Sequence, residues 1–318
     1  MSPRRVREEF TSYYGRPILK EPTWEARDIA GYIFAGGLAA VSSMLAAGAQ
    51  HSGRPALERR AKITALTAIS ASAAALVHDL GRPERFLNML RVAKPTSPMS
   101  VGSWILTVYG PLAGASALSN VFGILPKAGR ACGVGAALSG SAVATYTAVL
   151  LADTAVPTWH DAHEILPFVF ASSAAASAGG MAAALAPVAE TGPARRMAVG
   201  GALLETILSL KMERSGHLST ETFRQGRAGT LMRLAKAFTI GGGVGLALGG
   251  GRSRAVSTVG GLAVAAGSAL LRFGVFEAGK ASTRDPKYVV VPQRERLEAG
   301  GAARGTGKTG TRVGANVP

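Results

Sequence analysis

The chain alternates long apolar blocks with short polar segments. Eight blocks lie near residues 29–50, 61–78, 101–125, 132–152, 165–188, 197–210, 230–249 and 255–276. Most of them contain about the 20 apolar residues that a helix needs to cross the hydrocarbon core of a bilayer. Apolar residues follow one another within each block instead of alternating with polar ones, which argues against strands. The pattern therefore predicts an all-α integral membrane bundle of about eight transmembrane helices.

Small residues are concentrated inside several of these blocks. Residues 70–75, 172–180 and 241–251 consist mostly of Ala, Ser and Gly. Small side chains let helix backbones approach closely within lipid, so we expect a compact bundle. The sixth block is short for a span unless it continues through Leu210 to Met212.

Composition and charge support a membrane protein over a nucleic-acid-binding one. The 318 residues are 47% hydrophobic and only 17% charged, with a formal net charge of +16; soluble domains carry about 25% charged residues. The basic residues lie between the blocks and at the chain ends, where they would meet lipid headgroups. No basic face interleaved with stacking aromatic residues is present, so no nucleic-acid partner is expected.

The charge distribution also predicts an orientation and a division of the chain. With eight spans, most of the 35 Lys and Arg residues fall on the side that holds both termini. By the positive-inside rule both termini are cytoplasmic. We divide the chain into a cytoplasmic N-terminal segment (1–28), an eight-helix transmembrane domain (29–278) and a cytoplasmic tail (279–318) whose end is disordered.

Cysteine and histidine usage limits the cofactors that this chain can hold alone. Cys132 is the single cysteine, so neither an intrachain disulfide nor a cysteine-ligated zinc or iron–sulfur site can form within the chain. All five histidines fall at block ends or between blocks. A haem held between facing helices is therefore not expected. The N-terminus has no apolar region typical of a secretory signal.

The segment HDLGRPERFLNMLRVAKPTSPMS, residues 78–100, is dense in ionisable residues between two apolar blocks. It supplies His78 and Asp79, followed by Arg82, Arg85 and Arg91. Gly81 can end the preceding helix in the left-handed conformation, and the next residues predict a short amphipathic helix at the interface. On residue types alone, a basic loop that binds headgroups explains the segment as well as a functional site does.

A second polar segment, ADTAVPTWHDAHEILPF at residues 152–168, has several acids and histidines but no Lys or Arg. It contains Trp159 and His160, and Tyr146 precedes it by about two turns. Trp24 and Asp28 approach the same membrane face from the N-terminus under the eight-span topology. Because ionisable residues at membrane depth are costly and usually functional, we expect these segments to form a site for a lipid-soluble molecule with a polar head.

Two other features were weighed for chemistry. His160 and His163, three residues apart on one helical face, are a weak metal pair, and no metal site is predicted. Glu205, in the sixth block, needs a partner or a water path if it is buried, and is otherwise a half-buried residue at a helix end.

The chain resembles the NrfD/polysulfide-reductase membrane-subunit family. The similar segments are GRPILKEPTWEARDIAGYIFAGGLA, then HDLGRPERFLNMLRVAKPTSPMSVGSWIL, AVPTWHDAHEILPFVFASSAAASAGG and the tail KASTRDPKYVVVPQR. They occur in order over nearly the whole chain. The Gly, Pro, Arg and Ser-Pro positions of the second segment are not explained by membrane insertion alone.

The resemblance implies a multi-pass subunit of a prokaryotic cell membrane without redox cofactors of its own. Its implied partners are an iron–sulfur electron-transfer subunit and a molybdopterin catalytic subunit, in a formate dehydrogenase-like or polysulfide reductase-like complex. Its implied substrate is an exchangeable quinone or quinol, either menaquinone or ubiquinone. The subunit itself is then quinone-reactive or non-catalytic.

The resemblance also implies roles for particular residues. The quinone-contacting tyrosine of the family falls on Tyr146, whereas the polar residues of the family's first helix are not matched closely. The remaining expected contacts and proton-relay groups are Trp24, Asp28, His78, Asp79, Trp159 and His160. Docking of the iron–sulfur subunit is expected at Arg82, Arg85 and Arg91. The second block has no acid before Asp79, so transmembrane proton pumping is not expected.

Two functions of other classes stay open at this point. A multi-pass transporter would have inverted repeats with broken helices, and only the glycine interruptions of the last two blocks resemble them. A scaffold would anchor partner subunits without contacting quinone.

Overall fold

The computed structural model describes residues 18–82 and 84–305, and for residues 299–305 only the backbone. The described residues form α-helices joined by short loops and two 3-10 helices, and none of them lies in a strand. The helices are α1 (Ala26–His51), α2 (Pro55–Asp79), α3 (Glu84–Met89), α4 (Pro98–Phe122), α5 (Pro126–Ala152), α6 (Pro157–Asp161), α7 (Leu166–Leu185), α8 (Gly192–Glu213), α9 (Gly226–Leu248), α10 (Arg254–Arg284) and α11 (Lys287–Gly305).

Each of the eight apolar blocks corresponds to one long helix. Seven of these helices are long and apolar enough to cross a membrane, namely α1, α2, α4, α5, α7, α9 and α10. The sixth block extends in both directions to form α8, whose 22 residues match the thickness of a bilayer core. Charged residues near both ends of α8 lower its hydropathy. The predicted all-α membrane bundle of about eight helices is confirmed.

The long helices pack as two half-bundles. The first half-bundle consists of α1, α2, α4 and α5, and the second consists of α7, α8, α9 and α10. Helix α1 also packs against α7 and α10, so it joins the two halves. Helix α4 has few buried residues and presents most of its surface outward, whereas α1 and α7 are largely buried.

Proline and glycine mark many of the helix ends. A proline occupies one of the first two positions of α2, α4, α5, α7 and α8, where its missing N–H is not needed. Gly81 (φ 69°) and Gly123 (φ 71°) adopt the left-handed conformation just after α2 and α4. This agrees with the capping role predicted for Gly81.

Glycine allows backbone-to-backbone packing in the second half-bundle. A Cβ on Gly180 of α7 would lie 2.6 Å from the Gly261 carbonyl oxygen of α10, and a Cβ on Gly242 of α9 would lie 2.6 Å from the Gly260 carbonyl oxygen. Neither position has room for a side chain. The close helix approach expected from the small residues is therefore present between α7, α9 and α10.

Helix direction places three connections on one side of the bundle and four on the other. We call the side that holds residues 18–25 and 285–305 the terminal face; it also carries the connections around 80–97, 153–165 and 214–225. The distal face carries the connections around 52–54, 123–125, 186–191 and 249–253. Predictions for residues 1–17 and 306–318, including the disordered end of the tail, lie outside the described residues.

Ion pairs join the two chain ends to the terminal face. Glu21 accepts hydrogen bonds from Arg284 (2.8 Å) and pairs with Lys280 (3.2 Å). The hydrogen bond from Arg284, followed by that from Lys280, holds the pKa of Glu21 below its ordinary value despite some burial. On the same face, Tyr288 of α11 donates to Glu221 (2.8 Å), and burial together with this bond raises the pKa of Tyr288 to about 12. These contacts order the segments that border the candidate site.

Candidate functional site

The predicted N-terminal and HDLG segments meet at the terminal face. Asp28, in the first turn of α1, is buried, and its Oδ2 lies 2.8 Å from Nδ1 of His78 at the end of α2. The His78 side chain is 76% exposed, so this pair connects a buried carboxylate with water. Asp79 follows directly and borders an internal cavity. The structure therefore brings together three of the residues that the sequence predicted for the site.

Trp159 connects the 152–168 segment to the N-terminal segment through its ring. It stacks on Trp24 with ring centroids 6.2 Å apart and contacts Phe276 of α10. Its Nε1–H donates to the Val275 carbonyl (2.9 Å), and the side chain is completely buried. A Cβ on Gly279 would overlap this indole. Trp159 thus supports the site by holding Trp24, which borders the cavity, and does not itself line it.

An inner cavity of about 100 Å³ lies between α1, α2, α4 and α5 near the terminal face. Its wall is mainly apolar, with a small number of polar groups. Such a combination is typical of sites for organic ligands. The lining residues that bear on its chemistry are Trp24, Tyr32, Asp79, Met89, Ser103 and Tyr146.

An outer groove of about 670 Å³ lies on the other side of Tyr146. Its apolar wall is formed by residues of α4 and α5, among them Val101, Ala142 and Val149. Its polar end is formed by Asp153, His160 and His163. The groove therefore matches a molecule whose apolar part lies along the helices and whose polar head lies at the terminal face.

Tyr146 separates the inner cavity from the outer groove and lines both. Its side chain is 8% exposed, and its hydroxyl has no hydrogen-bond partner among the described residues. Buried hydroxyls are normally paired, so this one is available to a ligand or to water. Gly102 of α4 makes room for the ring, because a Cβ there would overlap Tyr146.

The two histidines of the groove are oriented by backbone carbonyls. Nδ1 of His163 lies 2.8 Å from the His160 carbonyl oxygen, and Nδ1 of His160 lies 3.3 Å from the Ala152 carbonyl oxygen. A ring N–H must donate in each case, so the neutral rings keep Nε2 as an acceptor. The imidazoles stack with centroids 5.7 Å apart. Among the described residues no cluster of three or more metal-ligating side chains occurs.

The predicted docking arginines lie beside this site. Arg82, Arg85 and Arg91 are all exposed in the connection between α2 and α4. Arg85 Nη1 donates to the Leu80 carbonyl oxygen (3.2 Å), which holds its stem against the end of α2. The predicted interfacial helix is present as the six-residue α3, and its Met89 borders the inner cavity.

Sequence reasoning missed Gly102 and Ser103 as parts of the site. Both are buried in α4, inside a segment that carried the family resemblance but in which neither residue was given a role. The residues Gly102-Ser103 begin the second turn after Pro98, and only the position of Tyr146 across the helix interface reveals their role. Asp153 and His163 belong to the segment that was noticed, but they were not included among the predicted site residues.

A protein-family model matches most of this chain. The model described as polysulphide reductase, NrfD, matches residues 21–281. The chain belongs to this family. The matched range contains the eight long helices almost completely, together with every lining residue named above. No curated protein matches the chain.

Membership of the NrfD family gives a context for the bundle and its site. NrfD proteins are membrane subunits of oxidoreductase complexes, and this chain has the corresponding multi-pass helical bundle. The inner cavity, Tyr146 and the outer groove lie in the first half-bundle of this NrfD protein, directly beneath the terminal-face connections.

Proposed function

We propose that this NrfD protein is the quinone-reactive membrane anchor of a molybdopterin and iron–sulfur oxidoreductase complex. In this proposal it passes electrons between an iron–sulfur subunit and the membrane quinone pool. The observation that carries the proposal is the unpartnered hydroxyl of Tyr146, which is buried at the border of an inner cavity and a groove open to the outside.

The shape and polarity of the outer groove fit a quinone. A quinone has a polar ring with two carbonyl oxygens and a long apolar tail. The tail matches the apolar walls of α4 and α5, and the ring matches the end bordered by Asp153 and His160. Ligand sites commonly enclose about 300–1,000 Å³, which includes this groove. Tyr146 is then positioned to donate a hydrogen bond to one carbonyl oxygen.

Quinone reduction to quinol takes up two electrons and two protons, and quinol oxidation releases them. The site therefore needs groups that exchange protons with water. His160 is a suitable group on the groove side, because an imidazole has one ring nitrogen that can accept a proton and another that can donate one. On the cavity side, Asp79 lies next to the exposed His78, which is paired with Asp28. These groups provide two candidate routes between the ring and the terminal face.

The partners in this proposal bind to the terminal face. Arg82, Arg85 and Arg91 are exposed cations close to both cavities, and they would attract acidic residues of an iron–sulfur subunit. A molybdopterin subunit would bind to that iron–sulfur subunit. The chain itself then needs no bound redox cofactor, since quinone is an exchangeable substrate.

We place the terminal face in the cytoplasm of a prokaryotic cell, because most of the basic residues lie there. The connection around 153–165 offers a direct test. A cysteine introduced at Glu164, in a Cys132→Ala background, should be protected from an impermeant thiol reagent in intact cells and labelled in inverted vesicles. Labelling from outside intact cells would contradict this orientation.

The role of Tyr146 is tested by Tyr146→Phe, with Tyr109→Phe as the matched control. Tyr109 is also buried in the first half-bundle, but its hydroxyl is paired with Ser43 (2.9 Å) away from the site. We expect Tyr146→Phe to weaken binding of a short-chain naphthoquinone, measured by tryptophan fluorescence quenching, and to lower quinone-linked turnover of the complex about tenfold or more. Tyr109→Phe should leave both unchanged.

The same experiment separates the alternatives. If the wild type binds no naphthoquinone and Tyr146→Phe leaves turnover and subunit assembly unchanged, a scaffold without quinone contact is favoured. If naphthoquinone does not bind and the protein moves a solute across vesicles in the absence of partner subunits, the transporter is favoured. Either result contradicts the proposal.

A further inference from the structure

A second group of buried polar residues lies in the second half-bundle, away from the cavities. Glu205 of α8 is 2% exposed, and its two carboxylate oxygens accept hydrogen bonds from Thr239 (2.9 Å) and Ser268 (3.0 Å). Thr239 belongs to α9 and Ser268 to α10. The sequence left open whether Glu205 is buried or lies half-buried at a helix end, and the structure shows that it is buried. It sits eight residues, about 12 Å, from the terminal end of α8.

Arg272 faces this acid from α10 and is 3% exposed. Its guanidinium lies over the ring of Phe170, 3.9 Å from the centroid, and its Nη2 donates to the Phe170 carbonyl oxygen (2.8 Å). The charges of Arg272 and Glu205 are close enough to interact. Nevertheless, Nε and Nη1 of Arg272 have no hydrogen-bond partner among the described residues. Nε and Nη1 together carry three N–H bonds, and a buried guanidinium that leaves them unpaired requires water as an acceptor.

A line of polar residues leads from Glu205 to the terminal face along α8. Glu205, Ser209 and Glu213 are spaced four residues apart, so they occupy one side of the helix, and all three are buried. The Ser209 hydroxyl also lacks a partner among the described residues. At the end of the helix, Glu213 accepts two hydrogen bonds of 2.8 Å from Lys236, whose side chain is partly exposed.

Toward the distal face, α7 and α8 pack closely against each other. The same side of the helix continues toward the distal face through Gly201, Ala198 and Ala194, all buried. A Cβ on Gly201 would lie 2.9 Å from Ser172 O, and a Cβ on Gly179 of α7 would lie 2.6 Å from Ala194 O. Backbones that approach this closely leave no space for water between α7 and α8. The polar line therefore continues from Glu205 toward the terminal face and not toward the distal face.

We propose that Glu205, Ser209 and Arg272 form a hydrated inlet that reaches from the terminal face to the interior of the second half-bundle and ends there. Water in the inlet binds the free N–H groups of Arg272 and the hydroxyl of Ser209, and it exchanges a proton with Glu205. A metal cation is disfavoured as the occupant, because the guanidinium already supplies a positive charge next to the carboxylate. This site is independent of the proposed quinone reaction, and it lies in the other half of the molecule.

Access to the inlet is tested with single cysteines in the full chain, in lipid nanodiscs and a Cys132→Ala background. Ser209→Cys reports the inlet, Ala198→Cys is the buried control where α8 packs closely against α7, and Arg214→Cys is the exposed control at the terminal face. The probe is the silver ion, which is small enough to follow water. The loss of free thiol is measured against time, after size-exclusion chromatography has established that each variant is folded.

We expect Ser209→Cys to react at least about tenfold faster than Ala198→Cys, since a thiol reached only by separating packed helices is slowed tenfold for every 1.4 kcal/mol of opening free energy. Equal, slow reaction of the two buried thiols, with fast reaction of Arg214→Cys, would overturn the hydrated inlet.

Proton exchange at the inner end is tested by infrared difference spectroscopy of the same nanodiscs after a change of pH, in H₂O and D₂O. We expect one carboxyl band that responds to both changes to disappear in Glu205→Gln and to persist in Glu298→Gln, an exposed control in α11. If Glu205→Gln and the wild type give the same spectra, Glu205 exchanges no proton and the proposal fails. Neither experiment contains quinone, so its outcome does not depend on the proposed function.

Discussion

The two half-bundles differ in how closely their helices approach one another. In the second half-bundle, backbone meets backbone at Gly180, Gly242 and Gly261, and the polar residues are enclosed in its interior. In the first half-bundle, large side chains such as Tyr146 and Trp24 border open volume, and Asp28, His78 and Asp79 lie together at the terminal face. Close helix approach leaves no space for a ligand. The closest backbone contacts between long helices therefore lie in the second half-bundle, and the volume bordered by polar and ionisable side chains lies in the first.

Helix α1 connects the two half-bundles, because it contacts helices of both. It carries Asp28 and Tyr32 at the site, and it packs against α7 and α10 through Gly37, where a Cβ would lie 3.2 Å from the Ala174 Cβ. One side of the inner cavity is thus fixed to the tightly packed half. Substitutions in the second half-bundle should mainly affect folding, and substitutions around Tyr146 should mainly affect ligand binding and turnover.

The largest expected effect is loss of the fold in Gly261→Leu. A side chain there would overlap the Gly180 carbonyl oxygen and force α7 and α10 apart, at a cost above about 3 kcal/mol. We expect little monodisperse protein after purification. Gly241→Leu, where nothing lies within 4 Å of an added Cβ, should behave like the wild type. If both variants purify equally well, the tight packing of the second half-bundle does not determine stability.

A functional effect without loss of stability is expected for Gly102→Ala. The added methyl group would overlap the Tyr146 ring and displace its hydroxyl, so turnover with quinone should fall about tenfold, as for a lost hydrogen bond of roughly 1.4 kcal/mol. Affinity for naphthoquinone should fall in parallel, while the melting temperature changes little. The matched control is Gly110→Ala on the same helix, which has open space around the new methyl group. A similar loss of turnover in both variants would mean that α4 tolerates no change.

The features that the sequence predicted differ from those that it missed for a physical reason. The helices, the Gly81 cap and the grouping of Asp28 with His78 and Asp79 follow from local patterns and from helix direction, so they could be predicted. The cavity border at Gly102 and the polar line from Glu205 to Glu213 depend on which sides of neighbouring helices face each other. Helices rich in Ala and Gly all round carry little information about that rotation. Trp159 is a further example. Its residue type and position predicted a residue that lines the site, and only its contacts in the structure show that it instead holds Trp24 in place.

A moderate effect on stability is expected where the two halves meet at Trp159. Trp159→Phe removes the hydrogen bond to Val275 O and leaves unfilled volume beside Trp24, for a loss of about 2 kcal/mol. We expect a lower melting temperature in circular dichroism, and a Trp24 emission that shifts toward that of a more polar environment. Trp104→Phe is the matched control, since Trp104 is 42% exposed and its Nε1 lies 3.5 Å from Val92 O. Its melting temperature should change by less than half as much.

The smallest expected effect concerns the ion pairs that tie residue 21 to the end of α10. The hydrogen bond from Arg284 and the charge of Lys280 lower the pKa of Glu21. A lowered folded-state pKa contributes stability above the ordinary glutamate pKa, and this contribution disappears as the pH falls through the lowered value. Because the Glu21 side chain is 37% exposed, solvent screening limits the contribution to less than about 1 kcal/mol.

The melting temperature of Glu21→Gln should therefore lie slightly below that of the wild type at pH 7, and the two should converge as the pH approaches 3. The exposed control Glu84→Gln should follow the wild type throughout. A difference between Glu21→Gln and the wild type that stays constant with pH would show that the contact acts through packing and not through charge.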